Sequence, residues 1–172
     1  LLALHGPEHA SVLSTRMFLA DTLIQQQRLA EAEREFRIVA AVRRQTLGEM
    51  NPDTHLALAN LSAILEDQGK LDEAVPICRV ALDIQITRLS EDDPRTLMAM
   101  SNFATLLRKA GQLDESETLL RRTLDIRVRV LPNNHGNTLR SRNSLADLLA
   151  SRGKFEEAEP MFQDLIVRAD QA

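Results

Sequence analysis

The chain has 172 residues, of which 44% are hydrophobic and 27% are charged, so it is long and apolar enough to fold around a continuous core. A net charge of −4 and only 3% aromatic residues argue against a nucleic-acid-binding surface. Cys78 is the only cysteine, which excludes an intrachain disulfide and favours a reducing compartment, so we expect a cytoplasmic protein. No apolar run approaches the roughly 20 residues that span a bilayer, and we expect no membrane insertion. Because the sequence starts at Leu1 without a methionine, we also expect a fragment of a longer chain.

A fixed period of 42 residues runs through the sequence. Gly69, Gly111 and Gly153 recur at this interval, and apolar residues on both sides of them keep the same spacing. One such series consists of Leu23, Leu65, Leu107 and Leu149. We therefore predict a single domain, residues 1–172, built from four repeats at about 6–47, 48–89, 90–131 and 132–172.

Each repeat is predicted to contain two amphipathic helices, because apolar residues recur at helical spacing on both sides of its glycine. The predicted helices span, in chain order, about 12–26, 30–47, 53–68, 72–89, 95–110, 114–131, 137–152 and 156–170. Asn51 and Asp93, each followed by proline, are predicted to cap the first helices of their repeats. Pro76 and Pro160 are predicted to lie in the first turn of the second helices, where proline is tolerated.

Three segments that begin at the recurring glycines carry a family resemblance. They read Gly-Lys-Leu-Asp-Glu-Ala at 69–74, Gly-Gln-Leu-Asp-Glu-Ser at 111–116 and Gly-Lys-Phe-Glu-Glu-Ala at 153–158. With the 42-residue hairpin they resemble the tetratricopeptide repeat family, and the turn Leu-Gly-Glu-Met-Asn-Pro-Asp-Thr at 47–54 is similar to its kinesin-light-chain-like branch. The resemblance implies an all-α fold: a right-handed superhelical solenoid of four helix-turn-helix repeats with eight helices.

In the resembled family the first helices line a concave groove, so the resemblance implies which residues face a bound peptide. Asn60 and Asn102 match the asparagine that holds a peptide backbone in the family, a role that suits an amide because it both donates and accepts hydrogen bonds. The alternative is that both are solvated polar residues or form local hydrogen bonds between helices. The full predicted groove consists of Phe18, Asn60, Met98, Ser101, Asn102, Thr105, Arg108, Lys109, Arg140, Asn143 and Ser144.

Basic residues support two further hypotheses. Arg108, Lys109 and Arg140 could form a groove subsite for an acidic segment, or they could be solvated and neutralised by nearby Asp147. On the second helices, oppositely charged residues four apart suit ion pairs on an exposed face; the pairs are Glu33 with Arg37, Glu117 with Arg121 and Asp125 with Arg129. A docking patch on the outer surface is the alternative, and it would comprise Arg121, Arg122, Arg127 and Arg129.

Residues with catalytic or metal-binding potential are few. His9 and His135 share a repeat position and are predicted to be turn residues, because successive turns lie too far apart to share one metal. Cys78 is predicted to pack in the core, because it takes the repeat position of Phe36 and Leu120. The sequence has no phosphate-binding loop and no nucleophile motif, so we predict a protein without enzymatic activity, cofactor or metal.

The favoured function is a protein-interaction scaffold that holds a peptide or protein segment of a partner in the groove. One alternative is the sensor or regulatory arm of a larger signalling ATPase or kinase. Another is a structural solenoid that self-associates end to end, because each repeat buries its apolar faces against its neighbours. The expected partner is a protein or peptide and not a nucleic acid.

Overall fold

The computed structural model describes residues 9–169, and within this range the chain forms eight α-helices and no β-strand. They are α1 (Ala10–Gln25), α2 (Leu29–Leu47), α3 (Pro52–Asp67), α4 (Leu71–Leu89), α5 (Pro94–Lys109), α6 (Leu113–Val130), α7 (Gly136–Ser151) and α8 (Phe155–Ala169). The all-α prediction with eight helices is confirmed. The first helices of the later repeats end one residue earlier than predicted, because Gln68, Ala110 and Arg152 cap them and do not extend them.

A side-chain cap starts the first helix of every repeat. Asn51 and Asp93 accept a hydrogen bond from the backbone N–H two residues further along, at 2.9 and 2.8 Å, as predicted. The two turn histidines do the same, since Nδ1 of His9 and of His135 accepts from the corresponding N–H at 3.3 and 3.1 Å. These histidines therefore have a structural role at the helix starts.

The turn inside each hairpin depends on one residue with a left-handed backbone. Gly69, Gly111 and Gly153 have φ angles of 73°, 75° and 74°. The N–H of the residue after each glycine donates to a carbonyl five residues earlier, at 2.9 Å, which closes the end of the first helix. In the first repeat Gln27 takes this conformation, with φ at 60°. The recurring glycines in the sequence thus mark a backbone requirement of the fold.

The prediction for Pro76 and Pro160 is wrong. Both prolines lie inside their helices, because α4 begins at Leu71 and α8 at Phe155, five residues before each proline. At this depth the missing N–H removes one backbone hydrogen bond to the carbonyl four residues earlier. The second helices of these repeats therefore tolerate an interior proline.

The contacts of the chain divide it into two compact units, residues 1–88 and 89–172, each with two hairpins. In the first unit Phe36, Ile64 and Leu65 are almost completely buried. The core of the second unit comprises Ala104, Leu120, Leu145, Leu148, Leu149 and Ala158. The boundary between the units falls within one residue of a predicted repeat boundary, while the assignment of all four repeats to one domain stays a prediction.

A buried glutamate joins the two hairpins of the second unit. Glu117 on α6 is 8% exposed and accepts hydrogen bonds from Nζ of Lys154 at 2.8 and 2.9 Å and from Arg121 at 3.0 and 3.1 Å. Arg152, in the turn between α7 and α8, donates to the same carboxylate. The hydrogen bond from Lys154 lowers the pKa of Glu117, although burial alone would raise it. The turn of one hairpin is thereby tied to the second helix of the preceding hairpin.

The first unit contains the equivalent contact. Glu33 lies 84 residues, or two repeats, before Glu117. Its carboxylate accepts hydrogen bonds from Lys70 at 2.6 Å, from Arg37 at 2.8 Å and from Gln68 at 3.0 Å. The predicted pairs between residues four apart on the second helices do form. The expectation that their glutamates lie on an exposed face is wrong, because Glu33 and Glu117 are both buried.

Candidate protein-binding surface

Two first helices of the second unit, α5 and α7, form the wall of an open pocket of about 350 Å³. Its lining is supplied by Pro94, Arg95, Met98, Ser101, Asn102, Thr105, Arg127, Asn137, Arg140, Ser141 and Ser144. The structure thus brings together six of the residues predicted to face a ligand. They are Met98, Ser101, Asn102, Thr105, Arg140 and Ser144. We call this site the α5–α7 pocket.

Most of the polar groups in the α5–α7 pocket suit contacts to a peptide. The hydroxyls of Ser101, Thr105 and Ser144 donate to the carbonyl four residues earlier in their own helices, at 2.9, 3.1 and 3.0 Å. Their lone pairs consequently remain as acceptors. The exposed amide of Asn102 forms no hydrogen bond with any residue in the described range 9–169, so it presents both donors and an acceptor.

Arg127 forms part of the pocket floor, where the sequence analysis did not expect it. It is 5% exposed, so the alternative of an outer docking patch is wrong for this residue. Its guanidinium donates to the carbonyls of Leu97 at 2.9 Å and Asn137 at 3.2 Å and to the hydroxyl of Ser141. Burial, and then repulsion from Arg140, lowers the pKa of Arg127. Its hydrogen-bond partners are uncharged, and it forms no ion pair with any carboxylate among residues 9–169.

The α5–α7 pocket carries an excess of positive charge. None of its lining residues is acidic, whereas three are arginines. Arg95 is paired with Asp93 through bonds of 3.0 and 2.9 Å, and these hydrogen bonds lower the pKa of Asp93 to about 2. Among the residues that the structure describes, Arg140 donates only to the amide oxygen of Asn137, at 3.3 Å. The exposed guanidinium of Arg140 is therefore available to an anionic group of a ligand, while the buried guanidinium of Arg127 adds positive charge beneath it.

The other predicted residues are distributed around this pocket or lie in the first unit. Arg108 lines a smaller cavity of about 50 Å³ together with Asp147. Asn143 donates to this aspartate at 3.0 Å, and Lys109 is exposed. The remaining two belong to the first unit: Phe18 on α1 is 71% exposed, and Asn60 on α3 is half-buried.

The remaining members of the outer arginine patch are exposed and paired with acidic side chains. Arg121 contacts Glu157 at 2.5 Å, Arg129 contacts Asp125 at 3.5 Å, and Arg122 pairs with Glu91. These pairs reduce the positive charge that this surface offers to a partner.

Cys78 is half-buried, whereas Phe36 and Leu120 at the same repeat position are buried, so the prediction that it packs in the core holds only in part. Its partial burial raises the pKa of the thiol. Across residues 9–169 no group of three or more His, Cys, Asp or Glu side chains is placed to hold a metal ion. None of the helices in the described part of the chain has the length and apolar character required to cross a bilayer.

Comparison with known families accounts for the repeat. The sequence model of the tetratricopeptide repeat matches residues 8–87, 53–127 and 95–166, which overlap and together run from 8 to 166. The chain belongs to the tetratricopeptide repeat family. Its helical hairpins are the repeats of this family, whose members generally bind other proteins. A search among curated proteins gave no match.

Several solved structures share this fold. One is a candidate kinesin light chain from Podosopora anserina, whose own tetratricopeptide-like repeats are nearly identical to one another. Its sequence is 24% identical to this chain, and the two structures superpose with a TM-score of 0.89 over 95% of this chain and 78% of that one. BtubC (BKLC) from P. vanneervenii is 16% identical, with a TM-score of 0.80 over 93% of this chain and 64% of that one. The type III secretion translocator chaperone SycD from Yersinia enterocolitica is 17% identical, with a TM-score of 0.60 over 84% of this chain and 88% of that one. The predicted resemblance to kinesin-light-chain-like repeats is confirmed.

Proposed function

We propose that this chain is a non-catalytic scaffold that binds a segment of a partner protein along its first helices. The observation that carries the proposal is the composition of the α5–α7 pocket, in which two amides, four hydroxyls and the exposed guanidinium of Arg140 line a cavity without any acidic residue. Such a lining suits a peptide, because backbone amides need both donors and acceptors and a carboxylate needs guanidinium groups.

Asn102 is the proposed contact to the partner's backbone. Its amide can donate to a carbonyl and accept from an N–H of an extended segment whatever the side chains of that segment are. Arg140, with Arg127 beneath it, then selects a segment with an acidic group near this point. Met98 is 58% exposed at the pocket and provides an apolar contact beside the charged one. In the first unit, Asn60 is the proposed counterpart of Asn102.

A photo-crosslinking experiment tests where a partner binds. A photoreactive phenylalanine analogue is placed at Met98 in the pocket or at Asp125, which is exposed on the second helix α6. Cells that produce the protein are irradiated, and the captured proteins are identified by mass spectrometry. We expect a partner to be enriched at position 98 over position 125. Equal capture at both positions contradicts the proposed site.

The captured segment, made as a fluorescent peptide, then tests the contacts. Arg140→Gln is expected to weaken its binding about tenfold, because a charge-assisted hydrogen bond is lost. Arg129→Gln removes an arginine that is also exposed but lies on another surface, and it is the matched control. The double change Asn60→Ala with Asn102→Ala is expected to weaken every bound segment, whatever its sequence. Unchanged binding of the peptide by this double variant removes the assignment of the two asparagines.

A further inference from the structure

An open groove of about 260 Å³ lies on the first unit, between the turn before α3 and the side of α4. Its lining consists of Glu49, Met50, Val80, Asp83, Ile84 and Thr87. We call it the α4 groove. It shares no residue with the α5–α7 pocket, and the proposed function makes no use of it.

The α4 groove combines an apolar base with carboxylates at its rim. Ile84 is 3% exposed and Val80 is half-buried, so aliphatic side chains form the base, and Met50 flanks them with 48% of its surface exposed. Glu49 and Asp83 are both exposed, and no lining residue is basic. The matching occupant has an apolar stem and a cationic head group, as the side chains of lysine and arginine do.

Both carboxylates at the rim can accept a cation. The carboxylate of Asp83 forms no ion pair and no hydrogen bond with any residue in the range 9–169. Glu49 accepts from Arg44 at 2.5 Å through one of its two oxygens, and the side chains of this pair are 44% and 58% exposed. Because an ion pair as exposed as this one contributes little, Glu49 can bind a second guanidinium at little cost.

The chain contains an occupied counterpart of this groove 42 residues further on. There, Glu91 takes the position of Glu49, and Arg122 takes the position of Val80. Nη2 of Arg122 donates to one oxygen of Glu91 at 2.8 Å, and its Nε pairs with the other oxygen. The side chain of Glu91 is 27% exposed, compared with 44% for Glu49. An arginine thus covers this glutamate in the second unit, whereas the shorter valine of the first unit leaves it open.

The second carboxylate of the groove shows the same contrast. Asp83 and Thr87 correspond to Asp125 and Arg129, which pair at 3.5 Å. Thr87 carries no charge and cannot replace this arginine as a partner for Asp83. In the first unit both positions that provide a cation in the second unit are therefore occupied by uncharged residues.

We propose that the α4 groove binds an arginine side chain presented by a partner protein. The aliphatic stem of this arginine packs on Val80 and Ile84, and its guanidinium binds Glu49 with Asp83 as a further acceptor. Arginine suits the site better than lysine, because a planar guanidinium can contact both oxygens of one carboxylate, as Arg122 does in the second unit.

A short peptide, Ala-Ala-Arg-Ala-Ala blocked at both ends, tests the proposal by nuclear magnetic resonance on the whole nitrogen-15-labelled chain. We expect saturable shifts of the backbone amides of residues 49–50 and 80–87, with a Kd on the order of 1 mM because a single side chain makes the contact. The same peptide with citrulline in place of arginine keeps the shape and loses the charge. It is expected to bind about threefold to fivefold more weakly.

Two variants test the assignment of the groove. Val80→Arg places an arginine of the chain itself in the groove, as in the second unit, and is expected to abolish the shifts while Glu49 and Asp83 stay in place. Asp83→Asn is expected to weaken binding about threefold, because one of the two carboxylates is lost. Asp125→Asn removes an exposed carboxylate from α6 and is the matched control, with binding unchanged.

Four results would overturn the proposal. The first is the absence of saturable shifts at residues 49–50 and 80–87 up to about 20 mM peptide. The second is equal binding of the citrulline peptide, and the third is wild-type affinity in a Val80→Arg chain whose spectrum shows that it is folded. The fourth is a shift of the same amides that grows with protein concentration without peptide, because the occupant would then be a second copy of this chain.

Discussion

Replacing Glu117 with glutamine removes a charge from the contact between the two hairpins of the second unit while keeping the shape of the side chain. The carboxylate is 8% exposed and accepts hydrogen bonds from Lys154, Arg121 and Arg152. A hydrogen bond to a charged group contributes about 1.5–3 kcal/mol. The three cations have side-chain exposures of 39%, 45% and 20%, so they regain part of their hydration when the charge is lost. We therefore expect the free energy of unfolding to fall by about 2 kcal/mol, which corresponds to about 4–8 °C in Tm for a chain of this length.

Thermal unfolding at pH 7, followed by circular dichroism at 222 nm, measures this change. Asp125→Asn is the matched control, because it removes a carboxylate from the same helix. The partner of this carboxylate, Arg129, lies 3.5 Å away, and both side chains are exposed. We expect the control to change stability by less than about 0.5 kcal/mol.

The effect of Glu117→Gln should also depend on pH. The hydrogen bond from Lys154 lowers the pKa of Glu117 in the folded protein, so its stabilisation is complete above the unfolded-state pKa of about 4.3. This stabilisation is lost as the pH falls through the folded-state pKa, because the carboxylate is then protonated in both states. The difference in Tm between wild type and Glu117→Gln should therefore shrink between pH 6 and pH 2.5. The reasoning is refuted if, at pH 7, Glu117→Gln lowers Tm as little as Asp125→Asn does. It is also refuted if the Tm difference between wild type and Glu117→Gln stays constant with pH.

Two further substitutions test the pocket floor and the hairpin turn. Arg127→Met keeps an apolar stem but leaves two backbone carbonyls without their donor, so we expect the free energy of unfolding to fall by about 1–3 kcal/mol. The control Arg129→Met, at an exposed site, should change it by less than about 0.5 kcal/mol. Similar unfolding midpoints in urea for these two variants would show that the buried hydrogen bonds do not stabilise the fold. Gly111→Ala forces a side chain into the left-handed region at φ 75° and should cost about 1–2 kcal/mol. The control Gly136→Ala, in α7 with open space around the new methyl group, should be neutral or stabilising. If Gly136→Ala lowered Tm as much as Gly111→Ala, the left-handed backbone at Gly111 would not explain the loss.

The fold could be predicted from the sequence because one signal repeats four times. Apolar residues such as Leu107 and Leu149 recur every 42 residues and are fully buried, and the glycines at the same interval adopt the left-handed turn. Much of the α5–α7 pocket also followed from helical periodicity. Asn102 and Arg140 lie on the face opposite the apolar positions, and both line the pocket. These inferences need only the backbone geometry of a single helix.

The buried polar residues could not be placed in this way. Arg127 and Glu117 lie on second helices, where a charged residue ordinarily indicates a solvated face. What buries them is the following hairpin, a contact that periodicity within one helix does not describe. A signal was nevertheless present, since Arg43, Gln85 and Arg127 occupy one repeat position and all three are buried polar residues. A polar residue that persists at one position of an apolar repeat indicates a hydrogen-bonding role inside the fold.

Two periods therefore coexist in this chain, and they determine different properties. The 42-residue period of apolar side chains and glycines specifies the hairpin, while the buried charges alternate over 84 residues, as Glu33 with Glu117 and Arg43 with Arg127 show. Because the charged contacts join hairpins in pairs, they stabilise a pair of hairpins as one unit. The α5–α7 pocket lies within such a pair, and its floor is the side chain of Arg127, held by hydrogen bonds to residues of both α5 and α7. The same buried arginine thus fixes the separation of α5 and α7 and supplies positive charge to the cavity between them. The stability of this pair of hairpins and the chemistry of the proposed binding site therefore depend on the same contacts.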